Sequence, residues 1–247
     1  MSSYAYTGTE LALFKEARNW KGYIRSLIQP YLSGSVLEVG AGNGTNTLLL
    51  CKQRYPKWVC LEPDGMLAAE IAGLLENGEI PPNCSVIQGT IDSISEDSRF
   101  DSILYLDVLE HIEDDARELA KAAEKLSVNG YLIVLSPAHN RLFSPFDKAI
   151  GHFRRYDKTM LKGILPPGFQ IKQLAYLDSV GSIASYANRI LLAQSMPKAS
   201  QIFFWDRAMI PMSRVLDRLA GYKVGKSVLA VFNRAADHRS TSWHRNA

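Results

Sequence analysis

The sequence predicts an α/β fold: a mostly parallel sheet of seven strands, helices on both faces, and a helical insertion before the last strand. Three observations carry this. Short apolar runs alternate with helical stretches from residue 35 to residue 135, the spacing of strand–helix–strand crossovers. The first of those runs feeds directly into a glycine-rich loop that opens a helix. Two more apolar runs, at 169–177 and 227–232, are separated by a long stretch of helical periodicity.

Taken in order, Leu11 to Ile28 reads as an amphipathic helix stopped by Pro30, with Phe14, Ile24 and Leu27 near one side. Ser35 to Val39 is the first strand and Thr45 to Gln53 the helix after the loop. Trp58 to Leu61 is the second strand; Asp64 caps a helix through Glu76 that Asn77-Gly78 ends. Cys84 to Gln88 and Phe100 to Leu106 are the third and fourth strands. Glu113 to Leu126 is a helix closed by Asn129-Gly130, and Tyr131 to Leu135 is the fifth strand. Phe169 to Leu177 and Ser227 to Phe232 complete the sheet, with helices at Ile183 to Leu192 and Ile202 to Leu219 between them. The insertion, 178–225, carries Tyr186, Phe203, Phe204, Trp205, Met209 and Met212. A segment this apolar must cover something: a site, a dimer interface, a membrane surface or the domain itself. One domain over 1–234 is expected, with an N-terminal helical region at 1–30. The polar, aperiodic end, 235–247, including His238 and His244, reads as a disordered tail.

Composition narrows the function. The 247 residues are 47% hydrophobic, enough for a core, which rules out disorder for most of the chain. A balance of 28 Lys+Arg against 25 Asp+Glu is too slight for a broad basic face, so a nucleic-acid partner is not expected. Cys51, Cys60 and Cys84 are odd in number and scattered, which fits buried thiols rather than disulfides or a zinc knuckle. The start has no basic-then-apolar leader, and no apolar run approaches the roughly 18 residues of a spanning helix, so a soluble, cytoplasmic protein is expected.

The sharpest motif is Glu38-Val39-Gly40-Ala41-Gly42-Asn43-Gly44. Gly40 and Gly42 allow a tight turn and close approach of backbone N–H groups to a ligand. Thr45 stands where the dinucleotide fingerprint has Gly or Ala, which weakens a dehydrogenase reading. Glu38 would repel a pyrophosphate but suits a ligand bearing ammonium and sulfonium groups. Glu62, at the end of the second strand, is placed to accept both hydroxyls of a ribose.

On these residues the chain resembles the class I S-adenosylmethionine-dependent methyltransferases, over roughly residues 30 to 177 with a seventh strand near 226 to 233. That resemblance implies a Rossmann-like fold with S-adenosylmethionine as cofactor. The methionine part would fall to Glu38, Gly40, Ala41, Gly42 and Asn43, the ribose to Glu62 and Pro63, and the adenine to Thr90 and Ile91. Thr90 replaces the Asp that many members carry there. Asp107-Val108-Leu109-Glu110-His111 is similar to the E-V-L-E-H signature of small-molecule O-methyltransferases, with Asp107 in place of the first Glu, and the resemblance sets Asp107 and Val108 beside the transferring methyl.

A histidine at that strand tip can take a proton from a hydroxyl or amine, oriented by Glu110 or Asp107. After the fifth strand, His139, Phe143, Phe146, His152, Phe153, Arg154, Arg155 and Tyr156 crowd one loop, the mixture of aromatic walls and polar groups a substrate pocket needs. His111, His152 and His139 are the candidate catalytic residues. The expected activity is methyl transfer to an O or N nucleophile of a small, partly apolar molecule, in a monomer or homodimer, with no metal required. Two alternatives stay open. Asp107, Glu110 and His111, with His152 or His139, have the composition of a divalent-metal site, a pattern also seen in methyltransferases acting on RNA 3′ ends. A non-catalytic cofactor-binding module is the other.

Overall fold

A computed structural model describes residues 10–191 and 198–235. His238, His244 and almost all of the expected tail lie outside the described residues, as does Leu192. In chain order the elements are α1 (Glu10–Phe14), α2 (Arg18–Ile28), β1 (Ser35–Val39), α3 (Thr45–Leu50), β2 (Lys57–Glu62), α4 (Gly65–Glu76), β3 (Cys84–Gln88), β4 (Phe100–Leu106), α5 (Asp115–Lys125), β5 (Leu126–Pro137), α6 (Pro145–Ala149), α7 (Lys158–Gly163), β6 (Phe169–Leu177), α8 (Ser179–Leu191), α9 (Ala199–Phe204), α10 (Ile210–Leu219) and β7 (Ser227–Arg234).

The seven strands form one sheet in the order β3-β2-β1-β4-β5-β7-β6. Pairs from β3 to β5 are parallel, and β7 runs antiparallel to both β5 and β6. The chain order reverses between β1 and β4, so their C-terminal ends splay apart and leave a crevice, which positions the site. Alternate β1 side chains feed two cores. Val36 joins Trp20, Tyr23, Ile28 and Trp205 on one face; Leu37 and Val39 join Leu119, Leu126 and Leu161 on the other. Cys51, Cys60 and Cys84 are buried free thiols.

Several element boundaries differ from the sequence reading, among them the helix after the glycine loop, which ends at Leu50, and the helices of 178–225, which start earlier and divide. Two of the differences have a clear tertiary reason. The single helix expected over 11–28 breaks at Lys15–Ala17, because Asp206 reaches the start of α2 and accepts from the N–H groups of Asn19 (3.1 Å) and Trp20 (2.9 Å). That carboxylate caps the helix from 186 residues away, supplying what Ala17 lacks. The helix expected to reach Leu126 stops at Lys125, since Leu126 already pairs with Phe100. Asn129, with φ 64, and Gly130 therefore form an irregularity within β5, not the turn before it.

The insertion is α8, then α9 and α10 joined through a π-helical turn at Trp205–Met209. Its acids hold it down. Asp178 accepts from Trp205 Nε1 (2.7 Å), Ser213 Oγ (2.7 Å) and the Gly181 N–H (2.9 Å). Asp217 accepts from Tyr23 OH (3.0 Å) and the N–H groups of Asp178 (2.8 Å) and Ser179 (2.9 Å). Asp217→Ala strands three buried donors, so urea unfolding is expected to show a loss of about 3 kcal/mol; a loss below about 1 kcal/mol would contradict this role.

Candidate active site

A cavity of about 960 Å³ opens at the β1 and β4 tips. The glycine loop Gly40–Asn43 forms one wall, Asp107, Glu110 and His111 the floor beyond β4, and Phe143, Phe146 and His152 the side after β5. Leu11 and Phe14 of α1 and Gly181, Ile202 and Phe204 of the insertion also line it.

The loop's conformation depends on its glycines. Gly40 adopts φ 64, and a Cβ there would stand 2.6 Å from a Val108 methyl, so β1 and the β4 tip approach as closely as backbone allows. The Gly42 N–H donates to Glu62 Oε2 (2.7 Å), and Glu62 Oε1 accepts from the Asp64 N–H (3.0 Å). Each Glu62 oxygen keeps acceptor capacity for a ligand hydroxyl. Burial raises the Glu62 carboxyl above its ordinary range, opposed by those two N–H donors.

Glu38 does not line the cavity. It is turned beneath the loop, where Oε2 accepts from Thr47 Oγ1 (2.8 Å) on α3 and Trp58 Nε1 (3.0 Å) on β2, while Oε1 has no hydrogen-bond partner. Its geometry is that of a strut between the elements flanking the loop. Burial pushes its carboxyl up to about 7 against those donors. A raised acid binds its proton more tightly folded than unfolded, so the cost of its charge is absent below about pH 4.5 and complete above about pH 7. Glu38→Gln is therefore expected to gain stability relative to wild type between pH 5 and pH 8, by up to about 3 kcal/mol in urea unfolding. An equal difference at both pH values would contradict the shift.

Beyond β4, Asp107 takes φ 57 and faces cavity solvent at the bottom of a deep recess. That depth pushes its carboxyl up to about 6, with His152 and Lys226 opposing. Glu110 is fully buried: Oε2 accepts from Ser136 Oγ (2.9 Å), whereas Oε1 has no hydrogen bond and lies 3.9 Å from His152 Nε2. Burial, and then Asp107, hold the Glu110 carboxyl well above its usual range. His111 and His152 meet edge to face with ring centres 4.5 Å apart, and burial lowers His111 to about 4, with His152 adding to the effect. His111 is accordingly neutral near pH 7, and the same burial weakens it as a base.

His152 has a dedicated anchor. Its Nδ1 is 2.9 Å from Asp147 Oδ1, and Arg155 grips the same carboxylate with Nε (2.7 Å) and Nη2 (2.8 Å). Ser144 adds its N–H (2.8 Å) and hydroxyl (2.7 Å) to Oδ2. Burial disfavours the Asp147 charge, but the His152 and Arg155 hydrogen bonds outweigh it and hold the carboxyl well below the usual range. An ionised Asp147 can only accept, so Nδ1 carries a proton and Nε2 is directed toward Glu110 and His111.

The structure thus brings Gly40, Ala41, Gly42, Asn43, Asp107, His111 and His152 to one cavity. Val108 packs on Gly40, Thr90 is exposed, Ile91 is buried in the core, and Glu62 is buried against the Gly42 N–H; none of these, nor Pro63, lines the cavity. His139 is not part of this cavity: at φ 66 it lies over the Tyr176 ring of β6, 4.6 Å between centres. Asp147 is the residue sequence reasoning did not single out. Its signal was Ser144-x-x-Asp147, a capping box that opens α6 and fixes the carboxylate facing His152. Among the described residues, ligand atoms of Glu110, His111 and His152 lie within 4.8 Å of one another, as a metal site requires; His139 is outside this group.

Residues 15–174 match the profile of a family described as a methyltransferase domain, well over half of the chain. The chain belongs to the methyltransferase-domain family. Solved structures share the fold of this methyltransferase at low identity. The cyclase SpnF superposes with a TM-score of 0.62 at 14% identity, covering 93% of this chain and 95% of its own. Coclaurine N-methyltransferase, bound to N-methylheliamine and SAH, gives 0.58 at 16%, covering 88% and 72%. An S-adenosylmethionine-dependent methyltransferase from Clostridium acetobutylicum gives 0.58 at 10%, covering 92% and 96%. No curated protein matches significantly. The family's methyl donor is S-adenosylmethionine, and the residues fit it: a glycine loop that lines the cavity and a buried carboxylate with spare acceptor capacity against that loop.

Proposed function

We propose that this methyltransferase transfers a methyl group to an O or N nucleophile of a small, partly apolar molecule. One observation carries the reading: a single cavity joins the glycine loop to the His111–His152 pair, with apolar walls from Phe143, Phe146 and Ile202. Gly40, Ala41, Gly42 and Asn43 hold the methionine end of the cofactor, Glu62 the ribose, and Asp107 faces the cationic centre. Bound S-adenosylmethionine supplies an electrophilic methyl on its sulfonium. The chain's larger contribution is positioning, worth roughly 7 to 11 kcal/mol when donor and acceptor are held in contact. His111 or His152 takes the acceptor's proton, a further 10²- to 10⁴-fold in typical cases. Residues 1–234 act as one unit in this reading, with 178–225 covering the acceptor side, as the cavity contacts of Gly181, Ile202 and Phe204 support. The test is transfer of labelled methyl from S-adenosylmethionine to a panel of phenols, catechols and amines with apolar substituents. Product from at least one class is expected; tight cofactor binding with no transfer to any would favour a non-catalytic module.

A second reading has its own support. Glu110 Oε1 is buried without a hydrogen bond beside two imidazole rings, and Asp147 fixes one ring's free nitrogen toward it. Glu110, His111 and His152 would then hold a divalent cation that acidifies the acceptor hydroxyl. Chelation with EDTA followed by Mg²⁺ or Mn²⁺ separates the readings: loss and recovery of activity require the metal, and unchanged activity leaves the imidazoles.

A further inference from the structure

The outer side of the insertion carries a pattern that its packing does not use. Along α10, Met212, Val215, Leu216 and Leu219 recur at i, i+3, i+4 and i+7, one face of a helix, and all four are exposed, Leu219 at 79%. The buried stripe of the same helix is Ile210, Ser213 and Asp217. This helix therefore points two polar side chains inward and its apolar stripe outward. Phe203 and Phe204 on α9, at 61% and 63% exposed, and Ile183 on α8, at 71%, extend the apolar surface.

Charge is sorted in the same direction. From residue 178 to 226 the sequence holds no acids besides Asp178, Asp206 and Asp217, and all three are buried in the hydrogen bonds that fasten the insertion. Lys198, Arg207, Arg214, Arg218 and Lys223 are exposed. Every charge this segment shows to solvent among the described residues is positive, interleaved with large apolar side chains. A symmetric contact with a second copy would set that basic surface against itself. An anionic bilayer is complementary on both counts, offering negative headgroups to the arginines and lysines and an acyl boundary to Phe203, Phe204 and the α10 stripe.

We propose that the outer face of α9 and α10, with Ile183, is a docking surface for anionic phospholipid membranes. It lies in the interface plane; no helix among the described residues is long and apolar enough to cross a bilayer. Phe204 belongs to both the exposed face and the cavity lining, so the docking surface is continuous with the active-site wall.

The experiment is co-sedimentation of the full chain with vesicles of phosphatidylcholine alone or mixed with phosphatidylglycerol. Binding is expected to the mixed vesicles, to weaken as salt rises, and to be slight with phosphatidylcholine alone. Arg218→Gln with Lys223→Gln should lower partitioning roughly 25-fold, two surface charges at about fivefold each. Leu219→Ser with Phe203→Ser should lower it through the apolar component at every salt concentration. These side chains are exposed, so thermal melting and SAH affinity should stay at wild-type values, separating this result from failure of the methyltransferase reading. No binding to the mixed vesicles, or wild-type binding by both variants, overturns the proposal. So does a dimer in sedimentation velocity that Leu219→Ser dissolves while vesicles fail to bind, which assigns the face to a second copy.

Discussion

His152→Ala is expected to lower kcat by about 10²-fold or more while SAH affinity stays near wild type, the signature of a contact made at the transition state. The ring lines the cavity, held at Nδ1 by Asp147, with Nε2 on the side of Glu110 and His111. Its removal takes away a proton acceptor and leaves Glu110 Oε1 and His111 without their neighbour. Asp147→Asn tests the anchoring separately. An amide can present N–H to Nδ1 and reverse the tautomer, so kcat should fall with KM little changed, and the pH–rate profile should shift. A purely structural role for Asp147 would lower stability and leave the profile of the folded fraction in place. Wild-type kcat in His152→Ala would leave the proton to His111, and wild-type kcat in the double variant with His111→Ala, without added metal, would mean that positioning alone supplies the rate.

The second large effect is at Gly40. A valine there must hold φ 64 and place its Cβ 2.6 Å and 2.9 Å from the Val108 methyls. Left-handed backbone costs a side-chain-bearing residue about 1–2 kcal/mol, and overpacking adds about 1–3 kcal/mol. Relief requires the loop to move away from the β4 tip, distorting the cradle, so SAH affinity should fall about 100-fold. Calorimetry on the folded variant measures it. Undiminished affinity would show that the loop is not the cofactor's cradle.

The sheet was largely legible in the sequence because its signals are local. β3, β4 and β6 fall at the bounds read from their apolar runs and flanking turn residues, and Asp64 caps α4 as its type predicts. What escaped is what distant residues decide. The break before α2 is set by Asp206, and the early start of β5 by Phe100 across the sheet. At the site, the loop, Asp107, His111 and His152 could be named from motif and strand-tip position. The inward turn of Glu38 could not, since it depends on Thr47 and Trp58 arriving from other elements. Nor could the parting of His139 from His152: both follow β5, but one lies over Tyr176 on β6 and the other is drawn to Asp147 at the start of α6.

In the proposed function S-adenosylmethionine sits at the Gly40–Asn43 loop with Glu62 on the ribose. Titration calorimetry of SAH into the intact chain and into Glu62→Ala measures it most directly. One site per chain is expected in the wild type, and an affinity at least about tenfold weaker in the variant, which loses a charged acceptor and the partner of the Gly42 N–H. No binding by the wild type, or equal affinity in the two proteins, would contradict it.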